Sequence, residues 1–210
     1  MDERGKSKED KANKKFYELS LATGYSNKSL QILEEGTLAD AIMTGQKGLS
    51  IQESYNDLSG IAVSLTNLSE MYTNTGEIKK ALSYCERALK IKEQLHADPE
   101  AIALSLNNIS IIYSQNNNRQ KAIEYQLRIE QLLDPNKHAA QLSACYNNLG
   151  NEYSSLKDYA KALFYFTKKG DISIKINDKE GQAFTASNIG MVYMKQGDLK
   201  RAYDYFLKAI

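Results

Sequence analysis

The stretch NNLGNEY, residues 147–153, places two adjacent asparagines, then a leucine, a glycine and a tyrosine, in what otherwise reads as a helix. Asparagine is a mediocre helix former, and glycine costs a helix interior about 1 kcal/mol relative to alanine. The stretch recurs in altered form along the chain. Tyr72, Tyr113, Tyr153 and Tyr193 are spaced 41, 40 and 40 residues apart. Four residues before each stands Leu68, Ile109, Leu149 or Ile189, followed by a small residue, Ser69, Ser110, Gly150 or Gly190. Nine residues after each tyrosine comes Ala81, Ala122, Ala162 or Ala202, and three beyond that Tyr84, Tyr125, Tyr165 or Tyr205. Columns that hold at one period are the signature of a repeat array. A degenerate earlier copy has Ala41 and Gly36 in register, with Ile32 at the tyrosine position.

Each copy reads as two helices. Leu65, Leu68, Ser69 and Tyr72 fall on one helical stripe, as do Ala81, Tyr84, Cys85 and Ala88. Between them TNTGE breaks the pattern, with Gly76 suited to a left-handed helix stop. Asp98 and Pro99 read as N-cap and first helical position, and Asp134–Pro135 reads as the same device. NDLSG (56–60) and NDKEG (177–181) occupy the same junction. The small residue then has a packing reason: it lies where the two helices of one hairpin cross, facing Ala81 and its counterparts. No glycine-rich phosphate loop stands anywhere in the chain.

The bulk numbers agree with helices. Proline is confined to Pro99 and Pro135, tryptophan is absent, and 27 Lys+Arg balance 26 Asp+Glu, which argues against a strongly basic nucleic-acid binder. Cys85 and Cys145 lack metal-ligand spacing and read as small buried residues, with a disulfide as the minor alternative. No apolar run is long enough to cross a membrane, and the charged start MDERGKSKEDKANKK is no signal peptide. Residues 8–22 are expected to add a helix with Phe16, Tyr17 and Leu19 as its apolar side. The chain stops in mid-pattern at FLKAI, as an excised piece of a longer protein would. A signal peptide or membrane segment outside it stays open, and a cytoplasmic location is the expectation.

The columns Leu/Ile–Gly/Ser–x–x–Tyr, Gly, Ala and Tyr resemble the tetratricopeptide repeat, whose usual period is about 34. SACYNNLGNEYSSLKDYAKALFYF (143–166) and ASNIGMVYMKQGDLKRAYDYF (186–206) are similar to the long-period subclass. That subclass includes LGN/Pins-type adaptors, kinesin light chains and the repeat domains of bacterial sensors and regulators. Asn117 and Lys157 depart from the family at its glycine position. The resemblance implies an all-α, right-handed superhelical solenoid of antiparallel helix pairs over residues 23–210, preceded by a charged leader at 1–22. Its units run about 23–60, 61–100, 101–138, 139–180 and 181–210.

In such solenoids the first helix of each unit lines a concave groove. A second stripe on those helices carries Val63, Asn67, Glu70 and Asn74; Leu104, Asn108, Ile111 and Gln115; Ala144, Asn148, Asn151 and Ser155; and Phe184, Asn188, Met191 and Lys195. In the resembling adaptors an asparagine at the position of Asn67, Asn108, Asn148 and Asn188 bonds the main chain of an extended peptide. An amide offers both a donor and an acceptor, which suits a peptide group. The same asparagines could instead tie neighbouring repeats together, and Val63, Leu104 and Phe184 could line pockets or be buried against the preceding repeat. The candidate groove set is Asn67, Asn108, Asn148, Asn188, Glu70, Asn151, Ile111, Met191, Asn74, Gln115 and Lys195. A clamp for a C-terminal carboxylate is not expected, because the stripe offers only Lys195 and Glu70 opposes an acidic terminus.

His96 and His138 belong to no catalytic constellation. The expected function is a protein–protein interaction scaffold for a peptide or protein partner, with no catalysis, cofactor, metal or nucleic acid. The alternative is the sensory or dimerising portion of a bacterial histidine kinase or transcriptional regulator. Tyr203, Phe206, Leu207 and Ile210 on the last helix suggest a homodimer face.

Overall fold

The computed structural model describes residues 3–209 and the side chains of residues 9–209. Ten helices and no strand occur among the described residues. They are α1 (Glu3–Glu35), α2 (Leu38–Ser54), α3 (Leu58–Asn74), α4 (Ile78–Gln94), α5 (Pro99–Gln115), α6 (Arg119–Leu132), α7 (Ala139–Ser155), α8 (Tyr159–Lys175), α9 (Lys179–Lys195) and α10 (Leu199–Leu207). They form two compact units, Met1–Ser105 and Leu106–Ile210, and the division falls within α5.

Most helices start on a side-chain cap. Thr37, Asp57, Asn118, Asp158, Asp178 and Asp198 each accept the backbone N–H three residues on, satisfying a donor that the first turn leaves unpaired. The stops are left-handed residues. Gly76 and Gly197 take positive φ, and so do Asn117 and Lys157 at the matching positions, Lys157 with φ 63°. The next residue then donates back to the tyrosine carbonyl: Asn118 N–H to Tyr113 O at 2.8 Å, Asp158 N–H to Tyr153 O at 2.9 Å and Asp198 N–H to Tyr193 O at 2.9 Å. The backbone closes the turn in this way whatever side chain stands there.

Two expectations are corrected at the junctions. Pro99 does begin α5, but Asp134–Pro135 begins no helix. The Asp134 carboxylate takes the Asn136 N–H at 2.8 Å, a local turn, and α7 starts later, at Ala139. The segment expected as a separate helix at 8–22 continues without a break to Glu35 as α1. Phe16 and Tyr17 form no buried side there; they are 68% and 71% exposed.

In the first unit α1 pairs with α2 and α3 with α4. Leu65, Leu68, Ser69 and Tyr72 are buried, and across from them Ala81, Cys85 and Ala88. The Ser69 hydroxyl donates to Ala81 O at 2.8 Å. At the step between hairpins the Ser64 hydroxyl donates to Gln52 Oε1 at 2.7 Å.

In the second unit the α7/α8 and α9/α10 hairpins repeat the plan. Tyr153 meets Tyr165 while Gly150 meets Phe166, so partner numbers run in opposite directions and the helices are antiparallel. A Cβ on Gly150 would lie 2.5 Å from the Phe166 ring, and one on Gly190 2.7 Å from Phe206. Glycine is there because an aromatic ring occupies its side-chain space. Ala162, Phe166, Ile189 and Val192 form one buried cluster. At the hairpin steps the Cys145 thiol donates to Gln126 O at 3.2 Å, and the Lys169 ammonium to Thr185 Oγ1 at 3.0 Å.

The tyrosine columns meet within each hairpin, stacked in three pairs and tilted in Tyr193–Tyr205. Ring centroids lie 5.3 Å apart for Tyr72–Tyr84, 5.6 Å for Tyr113–Tyr125, 5.6 Å for Tyr153–Tyr165 and 5.5 Å for Tyr193–Tyr205. Such pairs are worth about 0.5–1.5 kcal/mol beyond burial. Lys80, Lys161 and Arg201 lie over the Tyr72, Tyr153 and Tyr193 rings.

Both cysteines are free and buried, so the disulfide alternative falls. Burial pushes the Cys145 thiol up to about 12, with the Glu130 carboxylate adding to the effect. Among the described residues no cluster of His, Cys, Asp and Glu could hold a metal ion, and no helix is long and apolar enough to cross a membrane.

Candidate binding surface

Because one stripe of each first helix is consumed by the hairpin core, the second stripe is left outward. In the first unit Val63 and Leu104 are 52% and 56% exposed, Glu70 and Asn74 are exposed, and Asn67 is half-buried between them. In the second unit Phe184 is 53% exposed, Ile111, Gln115, Asn151, Met191 and Lys195 are exposed, and Asn108, Asn148 and Asn188 are half-buried. Burial of Val63, Leu104 and Phe184 against a preceding repeat does not occur. Each is the sixth residue of its helix and stands on the outward stripe, about half exposed.

The first helices of the second unit lie side by side and parallel. Asn148 Nδ2 donates to Asn107 Oδ1 at 3.0 Å, Asn188 Nδ2 to Asn147 Oδ1 at 3.1 Å, and Lys195 Nζ to Ser154 Oγ at 3.0 Å. The sequence separation is 41 in all three. A constant separation is what parallel helices in register require, each residue reaching the position just before its own equivalent. Asn148 and Asn188 therefore join neighbouring first helices with one N–H each. A carboxamide has a second N–H and an acceptor oxygen besides.

Behind the Asn148 rung is a buried network. Fully buried Gln126 donates to the same Asn107 Oδ1 at 2.9 Å and to Ser110 Oγ at 3.1 Å, and the Ser110 hydroxyl donates to Ala122 O at 3.0 Å. Asn107 and Asn147 are the acceptors of this ladder, which column reading treats only as polar neighbours. The doubled NN at 107–108 and 147–148 is the signal that could have found them.

Two further side chains, Lys169 and Glu152, lie buried behind this surface. Lys169 is buried, with its ammonium 4.7 Å from the Phe184 ring centre; desolvation lowers its pKa below the usual lysine range, against the pull of Asp178. Glu152 is buried in a column otherwise filled by Met71, Ile112 and Val192. Its carboxylate accepts from Arg119 Nη1 at 3.0 Å and from the Ser114 hydroxyl. A single acid in an apolar column marks an inserted buried ion pair, which periodicity alone reads as noise.

Two family models, each described as tetratricopeptide repeat, match the sequence. One spans residues 60–134, the other residues 143–168 and 186–210. Together they take in more than half of the chain, and the protein belongs to the tetratricopeptide repeat family. Its fold is that of solved tetratricopeptide solenoids. A Podosopora anserina kinesin light chain with nearly identical TPR-like repeats is 16% identical, with TM-score 0.76, over 91% of this chain and 94% of that one. MamA from Desulfovibrio magneticus RS-1 is 17% identical, with TM-score 0.68, over 90% and 92%. The Pyrococcus horikoshii signal-transduction ATPase with numerous domains, which has a tetratricopeptide repeat sensor, is 21% identical, with TM-score 0.79, over 90% of this chain and 29% of that one. No curated protein matches the sequence. Fold and family are those of protein–protein interaction scaffolds.

Proposed function

We propose that the outward stripe of the first helices holds an extended segment of a protein partner, and that the chain acts by binding without chemistry. The observation that carries this reading is the wall of parallel first helices in the second unit. Half-buried Asn108, Asn148 and Asn188 recur across it, flanked by exposed Ile111, Phe184 and Met191. A solvated helix face is ordinarily polar and charged. Large apolar side chains beside fixed amides instead make a surface that gains by being covered. Asn148 and Asn188 serve both roles weighed from the sequence: one N–H links neighbouring helices and fixes the amide's orientation, and the remaining amide groups face the partner.

Site-directed photo-crosslinking tests this. A photoreactive phenylalanine analogue is placed at Ile111, Asn151 or Met191, and separately at Lys121 or Lys161 on the second helices. The expectation is a discrete partner adduct from the first three positions only. Equal adducts from the second-helix positions would show that binding uses another face.

A further inference from the structure

Resting on that groove reading, we infer that the bound segment is uncharged: an extended stretch bearing apolar and amide side chains, with no acidic or basic group against the wall. The wall consists of residues 106–115 with α7 and α9, and its only charged residues are Glu152, Lys179, Glu180 and Lys195. None stands free at its centre. Glu152 is buried and bonded to Arg119 and Ser114. Lys179 and Glu180 occupy the first turn of α9, and Lys195 its last residue, where the ammonium is bonded to Ser154.

The second helices behave differently. α6 alone carries Arg119, Lys121, Glu124, Arg128 and Glu130 in 14 residues. Burial does not account for the contrast, because Ile111, Ala144, Asn151 and Met191 are exposed and still uncharged. A charged side chain docked at the centre of the wall, away from Lys195 at its end and the buried Lys169 ammonium behind Phe184, would lose hydration and meet no counter-charge, which is strongly unfavourable. A neutral segment loses little hydration. Its peptide groups pair with the amides of Asn108, Asn148 and Asn188, and its apolar side chains cover Phe184 and Met191.

Spacing fixes the length. Packed helices stand about 8–10 Å apart and an extended chain advances about 3.3 Å per residue, so each helix is crossed by about three residues. The path from Asn108 to Asn188 takes about six.

The test is selection from a displayed library of random peptides, about nine residues long so as to exceed the path, panned on the whole chain. It is run in parallel on Asn148→Ala/Asn188→Ala and on Asn151→Arg, an exposed change that leaves the helix contacts intact. The expected result is enrichment of peptides depleted in Asp, Glu, Lys and Arg by about threefold or more, with affinity changing less than about twofold between roughly 0.05 and 0.5 M salt. Both variants should bind them at least about tenfold more weakly. Enrichment of acidic or basic peptides that the variants lose overturns the charge inference and leaves the groove reading standing. Peptides that bind wild type and Asn151→Arg alike, or no enrichment at all, overturn the groove reading and this inference with it.

Discussion

Replacing Gly150 by alanine is ordinarily a favourable change in a helix, gaining about 1 kcal/mol of propensity. Here the sign should reverse. The added Cβ would sit 2.5 Å from Phe166 Cε1, and 2.7 and 2.8 Å from the next two ring atoms. Carbon atoms at rest stand about 3.5–4.0 Å apart, so the ring must retreat by roughly 1 Å. Phe166 is 2% exposed and packed with Ala162, Ile189 and Val192, so retreat disturbs the core of two hairpins. Overpacking of this kind costs about 1–3 kcal/mol, and net of the propensity gain Gly150→Ala should destabilise by about 1 kcal/mol. In a Phe166→Leu background the obstructing ring is gone. The same alanine should then stabilise by up to about 1 kcal/mol, although Phe166→Leu alone lowers stability. Urea unfolding of the four proteins gives the coupling energy, expected at about 1–3 kcal/mol. A coupling below about 0.5 kcal/mol would refute close approach as the reason for this glycine. The serine hairpins point the same way: Ser69 and Ser110 are opposed by Cys85 and Gln126, which leave room for a side chain.

Three other outcomes are expected. Lys157→Gly relieves a left-handed lysine and should raise stability by about 0.5–1 kcal/mol, while Gly76→Ala, at φ 75°, should lower it by about 1 kcal/mol; thermal melts decide both. Arg119→Met strands the Glu152 carboxylate in an apolar column and should cost about 1–3 kcal/mol, discounted for the partly exposed arginine, whereas Arg119→Met/Glu152→Met should return to wild-type stability or above it in urea. The Cys145 thiol is raised to about 12 in the folded chain, so the folded state holds its proton longer than the unfolded state does. That contribution is complete below about pH 9 and is lost as pH climbs toward 12. Wild type should therefore lose more stability across that range than Cys145→Ala; parallel pH profiles would count against it.

The repeat was legible from the sequence because a solenoid places every copy in the same surroundings. Tyr72, Tyr113, Tyr153 and Tyr193 face the same partner in each hairpin, so selection keeps the same residue at one period. Helix stops followed for a local reason: a left-handed position is a backbone matter, readable at Gly76 and, through the register, at Asn117 and Lys157. The outward stripe was legible as a periodicity, and its asparagines as residues suited to peptide groups.

What only the tertiary structure decided is which atoms face each other across helices. Gly150 answers to the Phe166 ring, and Asn148 and Asn188 each give an N–H to Asn107 and Asn147 on the neighbouring helix. Val63, Leu104 and Phe184 proved exposed, Asp134 was absorbed in a turn of its own, and Glu152 found its arginine 33 residues away in the chain. Periodicity assigns a residue to a face of its own helix. Contact depends on the offset and rotation between helices, which packing sets and no single column records.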